Sequence, residues 1–509
     1  MIPGSELVDL SRLQFALTAL YHFLFVPLTL GLSLILAIME TIYVMTGRDI
    51  WRKMVKYWGT LFGINFVLGV ATGLTMEFQF GTNWAYYSHY VGDVFGAPLA
   101  IEGIMAFFLE ATFVGLFFFG WNKLSRVQHM CCTWLLALGT NLSALWILIA
   151  NGWMQNPVGA EFNYHTMRME VTDFAAVFLN PVAQAKFVHT ISAGYVTGSI
   201  FVLSISAYFL LRGRNISFAK RSMTVAASFG LASALAVVVL GDESGHFDYN
   251  VQKMKFAAIE ALWHSEEAPS ALTLIGIPNE TTMTTDYAIR IPYVLGLIAT
   301  RSFTQPLEGI AELIEQGKAH IKEGMLAYDA LTRLQKNPND EQAKAEFAAH
   351  QAYLGHALLL KRYTENVVDA NEEQIDKAAH DLKPKVAPLF FAFRIMVGCG
   401  LFFILLFAVG FYLSAKHKLH STRWYLHLAF WSLPLPWLAA ELGWIVAEYG
   451  RQPWAVQGIL PTMMGTSSVT TSQVLTSITG FVLFYSTLAV VEVYLMVKYI
   501  RLGPDNLAH

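Results

Sequence analysis

Long apolar runs dominate the chain and alternate with shorter polar segments. Because about 20 consecutive apolar residues carry an α-helix across a bilayer, each run predicts one membrane-spanning helix. The predicted spans cover residues 15–44, 57–79, 96–120, 130–150, 187–211, 222–241, 388–414, 424–447 and 474–498. The pattern therefore predicts an all-α fold, a polytopic membrane helical bundle of about nine transmembrane helices.

A long polar region, residues 242–386, separates the sixth and seventh spans. Within it, apolar residues recur at helical spacing between charged ones, which is typical of an amphipathic helix. They are Leu307, Ile310, Leu313, Ile314, Ile321 and Met325. A second charged helix is predicted near residues 340–362. The chain thus divides into a membrane domain of residues 1–241, an inserted polar domain of residues 242–386 and a second membrane domain of residues 387–509.

Basic residues fall in alternate short loops, and this asymmetry predicts the orientation. Cytoplasmic loops are enriched in Lys and Arg. Such residues follow spans one, three, five, seven and nine: Arg48, Arg52, Lys53, Lys56, Lys123, Arg126, Arg212, Arg214, Lys220, Arg221, Lys416, Lys418, Arg423, Lys498 and Arg501. The N-terminus and the inserted domain are therefore predicted on the outer face, and the C-terminus in the cytoplasm.

Composition supports a membrane protein over a soluble one. Of 509 residues, 55% are hydrophobic and only 14% are charged, with a mean hydropathy of +0.45. An ordinary soluble domain carries about 25% charged residues. The net charge of −3 and the lack of a basic arm give no indication of nucleic acid as a partner.

Several ionisable residues lie within or at the edge of the apolar runs, where they are costly and usually functional. They are His22, Glu102, Glu110, His189 and Glu448. In the predicted orientation, all except Glu110 lie toward the outer leaflet on different helices, and Met396 lies at a similar depth. Helical bundles build cofactor sites from such side chains, so these positions predict a haem site.

Each of these residues also has a simpler interpretation. A single intramembrane histidine can bond a backbone carbonyl, and a single methionine usually packs in a core. Convergence favours a cofactor, because His and Met together form an axial pair for a low-spin haem. Arg394 would then meet a haem propionate or tune the iron. Zinc is less suitable, because its structural sites need close clusters of Cys and His.

Several segments resemble a known family along nearly the whole chain. They are SRLQFALTALYHFLFVPLTLG around His22, GLTMEFQFGTNW at 73–84, KFVHT around His189, GWIVAEYGRQPW at 443–454 and RLGP at 501–504. Together they resemble subunit I of the cytochrome bd quinol oxidases. The segment GDESG at 241–245 and the length of the polar domain resemble the branch with a long quinol loop.

The resemblance implies three haems: a low-spin haem b, a high-spin haem b and a haem d that binds oxygen. His189 and Met396 match the ligands of the low-spin haem. His22 and Glu448 match ligands in the high-spin pair. The preferred assignment places His22 on haem d and Glu448 on the high-spin haem b. The sequence leaves open which of the two haems each residue binds. Glu102 matches a carboxylate beside that pair.

Four further residues match functional positions of the family. Trp444 matches an aromatic residue among the haems, Arg394 matches one beside the low-spin haem, and Lys255 and Glu260 match residues of quinol oxidation. Lys255 would donate to a quinol oxygen and Glu260 would act as general base. From spacing alone, an ordinary surface pair is the favoured interpretation of Lys255 and Glu260, and the resemblance reverses that preference.

Protons for oxygen reduction must cross most of the bilayer from the cytoplasm. Glu110 lies eight residues after Glu102, about 12 Å deeper and roughly 80° around a regular helix. With Ser143 it forms a predicted proton path, which the resemblance also implies. A helix–helix hydrogen bond is the alternative for Glu110 and for Ser143.

Two arginines near the predicted haems are possible propionate partners. Arg12 and Arg451 suit this role because a guanidinium pairs well with a carboxylate. Either could instead extend to lipid headgroups.

The resemblance implies a haem-containing terminal quinol oxidase in the bacterial cytoplasmic (inner) membrane. It would oxidise ubiquinol or menaquinol at the outer face and reduce oxygen with cytoplasmic protons. Its partners would be a second large membrane subunit, a small single-helix subunit and the lipid bilayer. A proton-coupled secondary transporter is the alternative, which predicts broken helices. A haem electron-transfer subunit without an oxygen site is another.

Overall fold

The computed structural model describes residues 4–507. Within these residues, eight helical stretches are long and apolar enough to cross a membrane. They are Ser5–Thr46, Asp49–Thr82, Ala85–Phe119, Arg126–Gln155, Phe174–Leu211, Ile216–Val251, Val386–Ala415 and Thr471–Leu502. The helical membrane bundle predicted from the apolar runs is thus confirmed, while the count of nine crossings stays a prediction.

The first membrane part contains nine α-helices and one short hairpin. In chain order these are α1 (Ser5–Phe23), α2 (Val26–Thr46), α3 (Asp49–Thr82), α4 (Ala85–Ile101), a π-helix (Glu102–Phe107), α5 (Phe108–Phe119), α6 (Arg126–Gln155), β1 (Ala160–Asn163), β2 (Arg168–Val171), α7 (Phe174–Phe178), α8 (Pro181–Leu211) and α9 (Ile216–Val251). Helix α9 continues past residue 241, where the predicted span ended. The first turns of the polar segment therefore extend a membrane helix.

The inserted part consists of one long helix, several short helices and a second hairpin. It contains α10 (Lys253–Glu260), β3 (Leu272–Asn279), β4 (Thr284–Ile291), α11 (Val294–Thr300), α12 (Ile310–Lys336), α13 (Glu341–His350), α14 (Leu354–Leu358) and α15 (Glu372–His380). The predicted amphipathic helix is α12, and it buries Ile310, Leu313, Ile314 and Ile321. Leu307 is also buried but precedes the helix. The second predicted helix is divided into α13 and α14.

The last part returns to the membrane. It contains α16 (Val386–Ala415), α17 (Arg423–Trp431), α18 (Leu435–Trp444), a π-helix (Ile445–Tyr449), β5 (Trp454–Val456), β6 (Leu460–Pro461) and α19 (Thr471–Leu502). The predicted span 424–447 is broken by a turn at residues 432–434. Pro434 lacks the backbone N–H that a continuous helix requires. For this reason α17 and α18 are two short helices.

Helix α8 lies at the centre of the bundle, against α2, α6, α9 and α17. Glycines allow α2 and α8 to pack backbone to backbone, as is common between membrane helices. A Cβ on Gly31 would lie 2.4 Å from the carbonyl oxygen of Gly194 and 2.6 Å from the Cα of Gly198. This close contact fixes α8, which carries His189, relative to α2.

All three small sheets are antiparallel two-stranded hairpins. Ala160 pairs with Val171 in β1–β2, Leu272 with Ile291 in β3–β4, and Trp454 with Pro461 in β5–β6. Helix α14 packs tightly on the last hairpin, because a Cβ on Gly355 would lie 2.2 Å from the carbonyl oxygen of Gly458. The inserted domain is thus held against the segment that follows the second π-helix.

Candidate functional site

A cavity of about 900 Å³ opens inside the bundle, which is within the size range of cofactor pockets. Its lining includes most of the residues singled out from the sequence: Arg12, His22, Glu102, Glu110, Ser143, Trp444, Glu448 and Arg451. They come from helices far apart in the chain, as predicted for a bundle cofactor site. The structure thus brings these eight residues to one space.

His22 lies in the last turn of α1, immediately before a break in the first span. Its Nδ1 lies 2.9 Å from Thr72 Oγ1, and the Thr72 hydroxyl donates to the Leu68 carbonyl. Thr72 Oγ1 therefore accepts from the Nδ1–H, which leaves His22 Nε2 free as an acceptor or metal ligand. A Cβ on Gly73 would lie 3.1 Å from His22 Cε1, so a glycine here leaves room for the imidazole. His22 Nε2 is therefore a suitable ligand for haem iron.

Glu102 and Glu110 lie on the same cavity, but not on one regular helix. The π-helix Glu102–Phe107 separates them and follows Pro98. The regular-helix angle expected between the two carboxylates is therefore wrong, because a π-helix has more residues per turn. Ser143 donates to Glu102 Oε1 at 2.7 Å, and Glu110 is only 7% exposed.

Glu448 lies in the second π-helix, and its carboxylate has several partners. Asn151 Nδ2 and Gln155 Nε2 donate to Glu448 Oε1 at 3.0 and 3.1 Å. Arg451 pairs with Oε2, and Lys186 Nζ lies 3.9 Å from Oε1. Sequence reasoning missed Asn151, Gln155 and Lys186. The four-residue spacing of Asn151 and Gln155 on one apolar helix was the available signal.

His189 and Met396 lie on α8 and α16, and neither lines the large cavity. His189 Nδ1 is buried without a hydrogen-bond partner among the described residues, although buried polar atoms are normally satisfied. Each side chain faces a glycine: a Cβ on Gly241 would lie 3.3 Å from His189 Cε1, and one on Gly443 would lie 3.2 Å from Met396 Sδ. The orphaned nitrogen and the glycine-bounded space fit a second haem position.

Arg394 joins α16 to the inserted domain. Its guanidinium donates to Glu260 Oε2 at 2.9 Å, to the Thr273 carbonyl at 2.6 Å and to the Ile259 carbonyl at 2.9 Å. It also lies 3.4 Å from the centroid of the Phe390 ring. In this structure Arg394 therefore binds the inserted domain, and its guanidinium N–H groups already have protein acceptors.

Lys255 and Glu260 are both buried, with 4% and 5% exposed, so the surface-pair interpretation does not hold. Lys255 donates to Asp248 Oδ1 at 3.0 Å and to Gln252 Oε1 at 3.2 Å. Burial raises the pKa of the Glu260 carboxyl, and the nearby Arg394 guanidinium opposes the rise. The carboxyl group of Glu260 and the ammonium group of Lys255 thus lie buried where α10 meets α16.

The two predicted propionate partners differ in their surroundings. Arg12 pairs with Asp9 at 3.2 Å, and the Arg12 side chain is 36% exposed and that of Asp9 70%. Arg451 is 6% exposed, donates to the Ala455 carbonyl at 2.7 Å, and its Nε has no partner among the described residues. An unpaired buried N–H on the cavity wall is suited to an acidic ligand.

Comparison with known proteins assigns this architecture to a family. The family model described as cytochrome bd terminal oxidase subunit I matches residues 10–504. The chain is 50% identical over 500 residues to the Escherichia coli cytochrome bd-II ubiquinol oxidase subunit 1, covering 98% of this chain and 97% of that protein. It is 37% identical over 506 residues to the Bacillus subtilis cytochrome bd ubiquinol oxidase subunit 1, covering 99% and 96%.

A solved structure shares the fold. The bd oxidase from Geobacillus thermodenitrificans aligns with a TM-score of 0.78 at 24% identity, covering 98% of this chain and 100% of the other. The overall helical fold is therefore one that a bd oxidase chain adopts. The chain belongs to the family of cytochrome bd terminal oxidase subunit I.

Proposed function

We propose that this chain is the haem-containing subunit of a terminal quinol oxidase. It would oxidise quinol at the outer face and reduce oxygen to water with protons taken from the cytoplasm, without pumping protons. The observation that carries the proposal is the shared cavity of His22, Glu102, Glu110 and Glu448 in a chain of this family. The relatives named ubiquinol oxidases support quinol as the substrate class.

Three haems are assigned to two places in the bundle. His189 and Met396 would hold a low-spin haem b, and His22 and Glu448 would hold a high-spin haem b and a haem d on the large cavity. Bound haems would accept single electrons and bind oxygen. His22 Nδ1–H donates to Thr72 and so fixes the imidazole, and Nε2 remains as the atom that would ligate iron. Trp444 lies on the cavity wall, and its chain neighbour Gly443 faces Met396.

Quinol oxidation is assigned to the buried cluster at the junction of α10 and α16. Glu260 would accept a proton from a quinol hydroxyl at its carboxylate oxygen, which a raised pKa makes suitable near neutral pH. Lys255 would hold the second quinol oxygen as a hydrogen-bond donor. Arg394 would keep Glu260 in place through its two-sided contact with Thr273 and Glu260.

Reducing one oxygen molecule to water consumes four protons and four electrons. Glu110 and Ser143 line the same cavity, and Ser143 donates to Glu102. A proton held by Glu110 would reach Glu102 across the cavity and then the oxygen site. This order supports uptake from the cytoplasmic side when the predicted orientation of the loops holds.

The remaining assignments concern the surroundings of the chain. The N-terminus and residues 242–386 would face the periplasm and the C-terminus the cytoplasm of a bacterial inner membrane. Exposed apolar residues on α19, such as Leu483, Val490 and Val493, would meet lipid or other subunits. A second large membrane subunit and a small single-helix subunit would complete the oxidase. The quinol would be ubiquinol or menaquinol.

The transporter alternative predicted broken helices, and breaks are present where the sequence showed none. However, the breaks lie next to the haem candidates: α1 ends beside His22, and the π-helices contain Glu102 and Glu448. π-Bulges often occur at functional sites of many kinds. Family membership therefore favours the oxidase over a transporter.

A visible spectrum of the purified oxidase tests the proposal. We expect low-spin and high-spin haem bands after reduction and a further change when carbon monoxide is added. His22→Ala should alter carbon monoxide binding and keep the low-spin band. A colourless protein would contradict the oxidase, and a spectrum insensitive to carbon monoxide would support an electron-transfer subunit without an oxygen site.

A further inference from the structure

A lysine inside the bundle has no role in the proposed function so far. Lys186 lies on α8, one helical turn before His189, and its side chain is 16% exposed. Its Nζ donates to Asn151 Oδ1 at 2.8 Å and lies 3.9 Å from Glu448 Oε1. It also lies 6.0 Å from the centre of the Trp444 ring. A buried cation at membrane depth is costly and is usually retained for a task.

Lys186 connects the two places assigned to haems. Residues three apart on a helix share a face, so Lys186 lies on the His189 side of α8. From there its ammonium group reaches Asn151, which donates in turn to Glu448. The single side chain therefore lies beside one ligand candidate of each haem position.

The charges around Lys186 do not cancel. Its electrostatic partners are Glu448, Lys255, Asp248 and Arg451. With Lys186 itself, the group contains three cations and two carboxylates, which leaves one excess positive charge. The direct pairs Arg451–Glu448 and Lys255–Asp248 use one cation each, so the remaining cation is Lys186. A fixed positive charge favours the electron-rich form of any redox group nearby.

We propose that Lys186 is a positioning residue that orients Glu448 through Asn151 and raises the midpoint potentials of both adjacent haems by its charge. This inference depends on the proposed function, because it assumes haems at His189 and Glu448. Lys186 acts on the electron path without touching oxygen or quinol. Its effect on the midpoint potentials is electrostatic, so that effect depends on the charge and only weakly on the shape of the side chain.

The test is a spectroelectrochemical titration of the complete oxidase with Lys186→Met, and Lys186→Arg as the matched control. Methionine removes the charge while keeping a long apolar chain, and arginine keeps the charge. We expect haem content to stay normal in both variants. In Lys186→Met, the equilibrium constant for reducing the haem on Glu448 should fall about tenfold, which lowers its midpoint potential by about 59 mV for one electron. The haem on His189 should shift in the same direction.

Each outcome decides the inference. Potentials that stay unchanged in Lys186→Met with full haem content would overturn it. Haem loss in both variants, or equal potential shifts in both, would also overturn it, because either result indicates a role in packing independent of charge. A parent protein without haem bands would instead contradict the proposed function, so the two failures are distinguishable.

Discussion

Two buried polar clusters of this chain are built in opposite ways. At the junction of α10 and α16, Arg394 donates to Glu260 and to the carbonyls of Thr273, Ile259 and Phe390. In the large cavity and beside it, His189 Nδ1 and Arg451 Nε have no hydrogen-bond partner among residues 4–507, and the contact of His22 Nδ1 with Thr72 leaves Nε2 for a ligand. Protein groups complete the first cluster, whereas the second leaves donors and acceptors to a bound group. Mutations should therefore affect stability in the first and cofactor binding in the second.

The largest expected effect is in the second cluster, in and beside the large cavity, which the protein alone leaves incomplete. The first cluster, around Arg394, is the complete one. His189→Ala and Met396→Leu should each abolish the low-spin haem band in a reduced-minus-oxidised spectrum, because each removes a proposed axial ligand. Glu260→Gln is the matched control from the complete cluster and should keep all haem bands. A His189→Ala protein with a normal low-spin band would contradict the ligand assignment.

The next effect concerns proton supply in the cavity. Glu110→Ala should slow oxygen reduction by about a hundredfold, because a positioned acid or base contributes about that factor to proton transfer. Haem content should not change, since Glu110 is not among the proposed haem ligands. Oxygen consumption at saturating quinol measures the effect, and Glu110→Asp, which keeps the carboxyl group, should retain more activity. Normal turnover in Glu110→Ala would exclude Glu110 from the proton path.

The complete cluster should respond in stability. Arg394→Leu leaves the Glu260 carboxyl buried without its cation, and breaking a buried pair in this way costs about 3–5 kcal/mol. We expect faster hydrogen exchange in α10 and β3. The double variant Arg394→Leu with Glu260→Leu should recover part of the loss, because it removes both charges. An unchanged exchange rate in Arg394→Leu would show that the pair does not hold the inserted domain.

The two clusters also differ in how far the sequence predicts them. Apolar runs predicted the helical membrane bundle, and isolated ionisable residues indicated four of the cavity residues, His22, Glu102, Glu110 and Glu448, because burial in lipid restricts composition so strongly. Trp444 followed only from the family resemblance. The breaks were not predictable from periodicity, since π-helices at Glu102 and Glu448 depend on tertiary packing. The partner of Arg394 was also not predictable, because Glu260 is 134 residues away across the inserted domain. Lys186 stood next to His189 in a recognised motif, but its task depends on a contact with Asn151 that only the fold creates.

The smallest expected effect concerns the contact between the inserted domain and the β5–β6 hairpin, where His356 on α14 lies 5.1 Å from the Trp454 ring. Burial lowers the pKa of His356 to about 3, and the neighbouring His320 adds to this. The unfolded chain has a histidine pKa of about 6.5, so below that pH the unfolded state binds a proton that the folded state does not.

His356 therefore contributes stability that is fully present above pH 6.5 and declines as the pH falls toward 3. Between pH 6.5 and 5 the loss should be about 2 kcal/mol, at about 1.36 kcal/mol per pH unit. Hydrogen exchange of α12 and α14 in the intact protein measures it. His356→Phe keeps the ring contact and removes the proton site, so its exchange should depend less on pH in this range. Equal pH dependence in both proteins would show that protonation of His356 does not govern this contact.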